Sequence, residues 1–256
     1  MKKLNGKTTF ITGASAGIGE SCAKLFAEAG SNLIITGRRE GKLHSIGELL
    51  RNEFGVSVLS VAIDVRNYDE MSNLISNLPD EFKKIDILIN NAGKALGLGT
   101  VQEGDIQDWE EMIDTNIKGL LYTSRLIAPL MIKQGRGFII NVSSIAGRHA
   151  YPKGNVYCAT KSATKTISEA MAIDLNGTGV RICNIDPGMV ETEFSLVRFK
   201  GDEERAANVY KSFKALSPDD IADILLFVAT RPEHVMIQDI MVTPTAQANA
   251  YVVSKK

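Results

Sequence analysis

The chain has 256 residues, a length that a single α/β domain with helices on both faces of its sheet can use. Its hydrophobic fraction of 44% and charged fraction of 23% are typical of folded globular proteins and exclude a largely disordered chain. The net charge of -1 is spread along the sequence without a basic block, which argues against nucleic acid as a partner.

The spacing of the cysteines and the length of the apolar runs indicate where the protein is located and whether it binds a metal or a membrane. The three cysteines lack CxxC spacing and the three histidines are scattered, so we expect neither a disulfide framework nor a metal site. The N-terminal residues lack the apolar stretch of a secretory signal, and no apolar run reaches membrane length. These features predict a cytoplasmic protein that does not bind a membrane.

Short β-branched runs alternate with longer helix-like stretches along the chain, which is typical of repeated βαβ units and a buried parallel sheet. No repeat or Gly/Ser linker divides the sequence, so residues 1–256 are predicted to form one doubly wound α/β domain. We predict strands near residues 8–12, 32–36, 56–63, 85–90, 137–142, 180–185 and 236–242.

Three helical segments carry specific expectations. Gly30 is a C-terminal stop for the first helix, and one long helix is predicted over 105–134, with Pro129 bending or breaking it. Pro218 suits the first helical position ahead of a helix over 221–230. The charged stretch at about 190–213 is predicted to leave the sheet as a lid.

A glycine-rich segment follows the first predicted strand directly. Gly13, Gly17 and Gly19, with Ser15 and Ile18 between them, lead into the first helix. Glycines let the backbone approach a phosphate closely, and exposed amides at a helix N-terminus favour negative charge. The spacing is GxxxGxG rather than the common GxGxxG, so a tight turn without a ligand is the alternative.

The residues that follow the second, third and fourth strands would meet a dinucleotide lying across the same edge of the sheet. Arg38 and Arg39 stand where an acid would hold the ribose of NAD, and their charge suits the 2'-phosphate of NADP(H) instead; a solvated helix start is the alternative. Asp64 can accept from an adenine amino group or cap a helix. Asn91 belongs to an Asn-rich segment that can border the cofactor or form a simple turn.

Ser144, Tyr157 and Lys161 form the pattern S-x12-Y-x3-K. Tyr157 and Lys161 are one helical turn apart, so their side chains can converge. A nearby ammonium would lower the pKa of the tyrosine, as a reversible proton donor needs. An isolated Tyr/Lys match would also arise as a surface pair, but the glycine-rich turn makes chance a poor explanation.

These motifs, in this order, resemble the short-chain dehydrogenase/reductase family over residues 7–242. The landmarks are residues 12–19, the segment Asn90-Asn91-Ala92-Gly93, Asn116, Ser144, Tyr157 to Lys161, and Pro187-Gly188. The resemblance implies a Rossmann-like domain with a seven-stranded parallel sheet flanked by helices. It also implies hydride transfer to or from NAD(P) and a homotetramer.

The resemblance assigns roles to individual residues. Tyr157 corresponds to the acid/base, Lys161 to the residue that lowers its pKa and holds the nicotinamide ribose, and Ser144 to the residue that positions the substrate oxygen. Asn116 corresponds to the asparagine that supports the lysine through a water relay. Ser143 is one residue too far from the tyrosine for the pattern. The positions that match cofactor contacts are Ile18, Asn91, Val190 and Thr192.

Segments 147–152, 190–198 and 244–247 are similar to NADP-dependent 3-hydroxy acid dehydrogenases, including enzymes for serine and L-allo-threonine. The resemblance implies a small 3-hydroxy acid of that kind, or 3-hydroxypropionate or 3-hydroxyisobutyrate, as substrate. Its carboxylate could be held by Arg148, on the loop before the catalytic helix, or by Arg198 in the lid. Both arginines could instead form ordinary surface pairs.

Three other functions compete with this interpretation. A reductase of neutral ketones or aldehydes would use the same catalytic residues, and a non-catalytic NADPH-binding protein would use the same fold. The intact Asn116, Ser144, Tyr157 and Lys161 set argues against the latter. A serine hydrolase built on Ser144 and His149 would lack the GxSxG elbow.

Overall fold

The computed structural model describes residues 3–255, and seven strands there form one parallel sheet. The predicted seven-stranded, doubly wound architecture is confirmed. The strands follow the order β3-β2-β1-β4-β5-β6-β7 across the sheet. Their bounds are β1 Thr8–Thr12, β2 Asn32–Gly37, β3 Val58–Ala62, β4 Ile87–Asn90, β5 Gly137–Val142, β6 Val180–Pro187 and β7 Asp239–Val242.

Both faces of the sheet are covered, which is why the strands read as continuous apolar runs. Every residue of β1 and of β4 is buried. One core cluster contains Phe26, Ile35 and Leu225, and the other contains Phe10, Leu88 and Ile127. Phe10 and its neighbour Ile11 lie in different clusters, so adjacent residues of β1 face opposite sides of the sheet, as strand geometry requires.

The helices alternate with the strands. Their bounds are α1 Gly17–Glu28, α2 Glu40–Phe54, α3 Tyr68–Ser76, α4 Ile106–Ile113, α5 Gly119–Lys133, α6 Asn155–Asp174, α7 Phe194–Arg198, α8 Glu203–Val209 and α9 Pro218–Ala229. Among residues 3–255, no helix is long and apolar enough to cross a membrane. Short 3-10 turns occur at Asp80–Phe82 and Ile145–Gly147.

The long helix predicted over 105–134 is interrupted, but not at the proline. A π-helical turn at Asp114–Lys118 separates α4 from α5, whereas Pro129 lies inside α5. Such turns occur often at functional sites because the extra residue re-aims a side chain. Here the turn carries Asn116, whose side chain bonds outside the helix.

Chain order reverses across the sheet between β1 and β4, because β2 and β3 extend to one side and β5, β6 and β7 to the other. In open α/β sheets, ligands bind at the carboxyl ends of the strands beside such a switch point. The predicted lid follows β6 and contains α7 and α8. It ends before α9, which begins at Pro218 as predicted, with Ser217 and Asp220 forming a capping box.

Candidate active site

A cavity of about 660 Å³ lies along the carboxyl ends of the strands, between the glycine-rich turn and the lid. Most of the residues singled out in the sequence line it. They are Gly13, Ser15, Gly17, Ile18, Arg38, Arg39, Asp64, Asn91, Ser144, Tyr157, Lys161, Val190, Thr192 and Arg198.

The turn between β1 and α1 needs glycine for two separate reasons. Gly13 and Gly17 have φ values of +67° and +55°, in the left-handed region that side chains disfavour. Gly19 has no such angle, but a β-carbon there would overlap the Gly13 carbonyl oxygen and lie 2.5 Å from Asn91 Nδ2. The residue before α1, Ala16, makes no side-chain cap, so amides at the N-terminus of α1 can meet an anion.

Asn91 fixes the glycine-rich turn to the end of β4. Its side-chain Nδ2 donates to the carbonyl oxygens of Thr12 at 3.0 Å and Gly13 at 3.1 Å. The Thr12 hydroxyl in turn accepts from the main-chain amides of Asn91 and Ala92, both at 3.0 Å. The Asn-rich segment is therefore part of the cavity wall and not a free surface turn.

Arg38 and Arg39 lie at the start of α2, on the rim of the cavity. Arg39 donates from Nε to Ser15 Oγ at 3.2 Å and from Nη2 to the Ser15 carbonyl at 3.0 Å. Its Nη1 donates to Glu193 Oε2 at 2.7 Å, and Lys42 donates to Glu193 Oε1 at 3.1 Å. Arg38 and Arg39 together give this end of the cavity the positive charge that a phosphate requires.

Asp64 also lines the cavity, where it forms a bidentate pair with Arg66, with Nη2 to Oδ2 at 2.7 Å. Hydrogen bonds and charge from Arg66 lower the pKa of Asp64 despite its partial burial, which acts in the opposite direction. The helix cap that was the alternative role for Asp64 is provided by Asn67, which accepts from Glu70 N.

Tyr157 and Ser144 meet at the inner end of the cavity. Both residues line the cavity, and Ser144 Oγ accepts from Ala146 N at 3.1 Å and donates to the Pro187 carbonyl oxygen at 3.5 Å. Ser143 lines the cavity too, but its hydroxyl donates to the Lys161 carbonyl oxygen at 2.8 Å. Ser144 and Tyr157 thus border the same cavity, as the S-x12-Y spacing predicts, whereas the Ser143 hydroxyl is bonded to the main chain of α6.

Lys161 lies one turn beyond Tyr157 on α6, and its Nζ donates to the Val142 carbonyl oxygen at 2.9 Å. Burial lowers the pKa of Lys161 to about 8, while Asp186 acts in the opposite direction. A β-carbon at Gly93 would lie 3.2 Å from this Nζ and 3.3 Å from Asn116 Oδ1. Lys161 and Asn116 therefore border the same small space beneath Gly93.

Asn116 lies deeper than the cavity lining and ties three elements together. Its Nδ2 donates to the Lys94 carbonyl at 2.8 Å and to Thr160 Oγ1 at 3.0 Å, and its Oδ1 accepts from Lys94 N at 2.9 Å. Thr160 is the neighbour of Lys161 on α6. Asn116 thus holds the segment that follows β4 against α6.

The pKa of Tyr157 differs from the sequence-based expectation. Its burial, reinforced by Tyr151, raises the pKa above the ordinary tyrosine value. The hydrogen bond with Ser144 and the charge of Arg198 act in the opposite direction. In the protein alone, burial therefore outweighs the lowering that was expected from Lys161.

Arg198, at the end of α7, brings a positive charge to the inner end of the cavity. Its guanidinium lies 5.4 Å from the ring centroids of both Tyr151 and Tyr157. It donates to Tyr151 Oη at 2.6 Å and to the Gly97 carbonyl at 3.3 Å. The lid is therefore joined to the floor of the cavity beside Tyr157.

Arg148 lies outside the cavity lining, contrary to the expectation that its guanidinium reaches the cavity mouth. Its Nε donates to Asp186 Oδ2 at 2.5 Å and its Nη2 donates to Asp239. The Asp186 carboxylate is fully buried and needs a cation, which is the physical reason for this orientation. Arg148 joins the loop after β5 to β6 and β7.

Several cavity residues were given no individual role in the sequence analysis, although all but Tyr210 lie in the segments 147–152, 190–198 and 244–247. Glu193, Tyr151, Phe194, Tyr210 and Gln247 all line the cavity. No local spacing marks them, because each depends on how the lid and the C-terminal segment fold back over the sheet. The resemblance of these three segments was the signal that could have found Tyr151, Glu193, Phe194 and Gln247.

The parallel sheet, the glycine-rich turn at the switch point and the basic rim define a dinucleotide-binding α/β protein, with a tyrosine and a lysine at the inner end of its cavity. The family described as short chain dehydrogenase matches residues 7–203. The chain belongs to this family.

Two of the most similar curated proteins carry nearly the same name. An NADP-dependent 3-hydroxy acid dehydrogenase of Schizosaccharomyces pombe is 44% identical over 100% of this chain and 99% of its own length. The NADP-dependent 3-hydroxy acid dehydrogenase YdfG of Salmonella typhi is 45% identical over 94% of this chain and 96% of its own.

Two solved structures of serine dehydrogenase are also similar to this chain. The closed form of serine dehydrogenase complexed with NADP+ superimposes with a TM-score of 0.91 and 41% identity, covering 97% of this chain and 99% of that one. Serine dehydrogenase from Escherichia coli has a TM-score of 0.80 and 37% identity, covering 94% and 99%.

Proposed function

We propose that the protein transfers a hydride between NADP(H) and a small 3-hydroxy acid or its carbonyl partner, with Tyr157 as the proton donor and acceptor. The protein is an NADP(H)-dependent dehydrogenase acting on CH-OH groups, as its family and its relatives show. The position of Arg198 beside Tyr157 is the observation that carries the choice of an acidic substrate.

The cavity fits NADP(H) at each of its parts. The glycine-rich turn leaves no room for β-carbons where a pyrophosphate would approach the start of α1. Arg38 and Arg39 offer guanidinium donors to a 2'-phosphate, and Asp64 offers an acceptor to the adenine amino group. Gly17 lies against Thr192, so the turn and the lid enclose the same space.

When bound, the cofactor exchanges a hydride with the carbinol or carbonyl carbon of the substrate. The chain itself must orient that carbon and move one proton. In the reduction direction Tyr157 Oη donates its proton to the carbonyl oxygen, and in the oxidation direction it takes the proton back. The burial that raises its pKa keeps this hydroxyl protonated, ready to donate. Ser144, which lines the cavity with Tyr157, holds the same substrate oxygen.

Lys161 and Asn116 support this proton transfer. The Lys161 ammonium, with a pKa of about 8, is charged at neutral pH and stabilises a phenolate on Tyr157. Asn116 holds the floor beneath Gly93, where the Lys161 Nζ also lies.

A substrate carboxylate finds its counter-charge in Arg198. The Arg198 guanidinium lies 5.4 Å from the centroid of the Tyr157 ring, and the hydroxyl of that ring transfers the proton. Its present partners are neutral, the Tyr151 hydroxyl and the Gly97 carbonyl, so no carboxylate has to be displaced. Arg148 already neutralises Asp186 and Asp239, which disfavours it for this task.

The experiment compares NADP+ reduction by 3-hydroxy acids with reduction by the matching amides and neutral secondary alcohols. We expect Arg198→Met to lower kcat/KM for the acids by about 10- to 100-fold, the loss of a charge-assisted hydrogen bond. Oxidation of neutral alcohols should fall by clearly less than oxidation of the acids, because for neutral substrates Arg198 acts only through its effect on the pKa of Tyr157.

Arg205→Met is the matched control, since Arg205 is an exposed arginine of the same lid whose guanidinium covers Phe199. It should leave the preference for acids unchanged. Equal kcat/KM for acids and neutral analogues in the unaltered protein would contradict the substrate assignment and favour a reductase of neutral ketones or aldehydes.

A further inference from the structure

Glu193 stands at the entry of the lid and contacts the basic rim of the cavity. Its two carboxylate oxygens accept from Arg39 Nη1 at 2.7 Å and from Lys42 Nζ at 3.1 Å. These hydrogen bonds and charges lower the pKa of Glu193, so the side chain is an anion at neutral pH. One anionic group of the protein thus already lies between two cations of α2.

The donors of Arg39 are divided between two partners. Nε and Nη2 face Ser15, in the glycine-rich turn, and Nη1 faces Glu193. A 2'-phosphate that approaches Arg39 meets a guanidinium whose outer edge is occupied by a carboxylate. Phosphate and carboxylate carry the same sign of charge, so both cannot lie against this edge without repulsion.

We propose that Glu193 determines cofactor specificity by competing with the 2'-phosphate for Arg39 and Lys42. A nucleotide without that phosphate leaves the Glu193 ion pairs intact, whereas NADP(H) has to displace them. Glu193 therefore weakens binding of the phosphorylated cofactor and keeps the two cations paired when no phosphate is present. This inference rests on the proposed contact between the 2'-phosphate and Arg39.

The position of Glu193 links this competition to the lid. Thr192, the preceding residue, lies against Gly17, and a β-carbon at Gly17 would lie 3.1 Å from its methyl group. The carboxylate that yields to the phosphate is therefore carried by the segment that closes over the glycine-rich turn. When Glu193 leaves Arg39 and Lys42, the start of the lid loses these two contacts. Arg198, at the end of α7, keeps its hydrogen bonds to Tyr151 and Gly97.

The test is a titration calorimetry comparison of adenosine 2',5'-bisphosphate with 5'-AMP, two nucleotides that differ in the 2'-phosphate. Glu193→Gln should bind the bisphosphate about 3- to 10-fold more tightly, as expected for the loss of two exposed ion pairs. Its affinity for 5'-AMP should stay within about twofold of the unaltered protein. Glu191→Gln, which changes an exposed acid two residues earlier, should affect neither nucleotide.

Unchanged or weakened bisphosphate binding by Glu193→Gln would overturn the proposal, as would an equal gain for 5'-AMP. Arg39→Met separates this failure from a failure of the phosphate assignment. If Arg39→Met weakens bisphosphate binding and Glu193→Gln leaves it unchanged, the phosphate site stands and the competition is refuted. If neither change alters it, Arg39 does not hold the phosphate and both inferences fall.

Discussion

Lys161 carries a charge in a place where its presence is costly to the folded state. Its side chain is 5% exposed, and burial holds its pKa at about 8 against an ordinary value of 10.5. The free energy of that shift is up to about 3 kcal/mol of lost stability at neutral pH. Function and stability therefore make opposite demands at this position.

We expect Lys161→Met to raise the free energy of unfolding at pH 7 by about 1–3 kcal/mol while it removes activity. Between pH 8 and 10.5 the folded protein binds fewer protons at this site than the unfolded chain, so the unaltered protein gains stability there as pH rises. The advantage of the variant should thus shrink over that window. Urea unfolding from pH 7 to 10 measures both effects.

Lys165→Met on the same helix is the control, because Lys165 is only half-buried and is paired with Glu169. It should change the unfolding free energy by less than about 0.5 kcal/mol. A Lys161→Met variant less stable than the unaltered protein across the pH range would show that the buried charge is well compensated in the fold.

Residue-level prediction from sequence succeeded where one element determines the geometry. Tyr157 and Lys161 share α6, and Ser144 follows β5 directly, so spacing was enough to bring them to one cavity. It failed for Arg148, since the position of the buried Asp186 depends on how β6 lies beside β5. Glu193 was missed because its partners are about 150 residues away in the chain.

At the scale of elements, the turn from β1 into α1 is held open by the absence of side chains. Gly19 occupies a place where a β-carbon would overlap the Gly13 carbonyl oxygen and press on Asn91. Both neighbours are fixed, one by the backbone and the other by its hydrogen bonds to the turn. The turn therefore cannot accept even a methyl group without moving.

We predict that Gly19→Ala weakens NADP+ binding by at least about tenfold and lowers the free energy of unfolding by about 1–3 kcal/mol, typical of overpacking. Calorimetry and urea unfolding measure the two quantities. Gly41→Ala is the control, as Gly41 lies in the first turn of α2 with open space around its α-carbon. It should leave binding unchanged and stabilise the protein slightly. Equal effects of the two changes would refute the steric explanation.

The boundaries of elements were harder to predict than their existence. The β-branched runs at 56–63 and 236–242 became the shorter strands β3 and β7, because pairing with the neighbouring strand begins only at Val58 and at Asp239. The π-helical turn had no signal in the sequence. It depends on Asn116 reaching the main chain of Lys94, a contact that forms only when β4 and α6 are in place.

On the scale of the whole molecule, the cavity is formed at the sheet edge, and we propose that the lid adds the groups that distinguish ligands. The lid meets the cofactor end of the cavity through Glu193 and the substrate end through Arg198. Both contacts cross from the lid to distant parts of the chain.

The homotetramer and the cytoplasmic location expected from the sequence stay predictions, and light scattering on the purified protein tests the first.

The proposed role of Tyr157 is to move the proton in an NADP(H)-dependent oxidation of a 3-hydroxy acid. Its most direct test is Tyr157→Phe, assayed both for NADP+ reduction by a 3-hydroxy acid and for NADP+ binding by calorimetry. The change deletes one hydroxyl and little volume, so we expect kcat to fall by about 10²- to 10⁴-fold with the NADP+ Kd within about threefold. Near-normal turnover by a correctly folded variant would contradict the account.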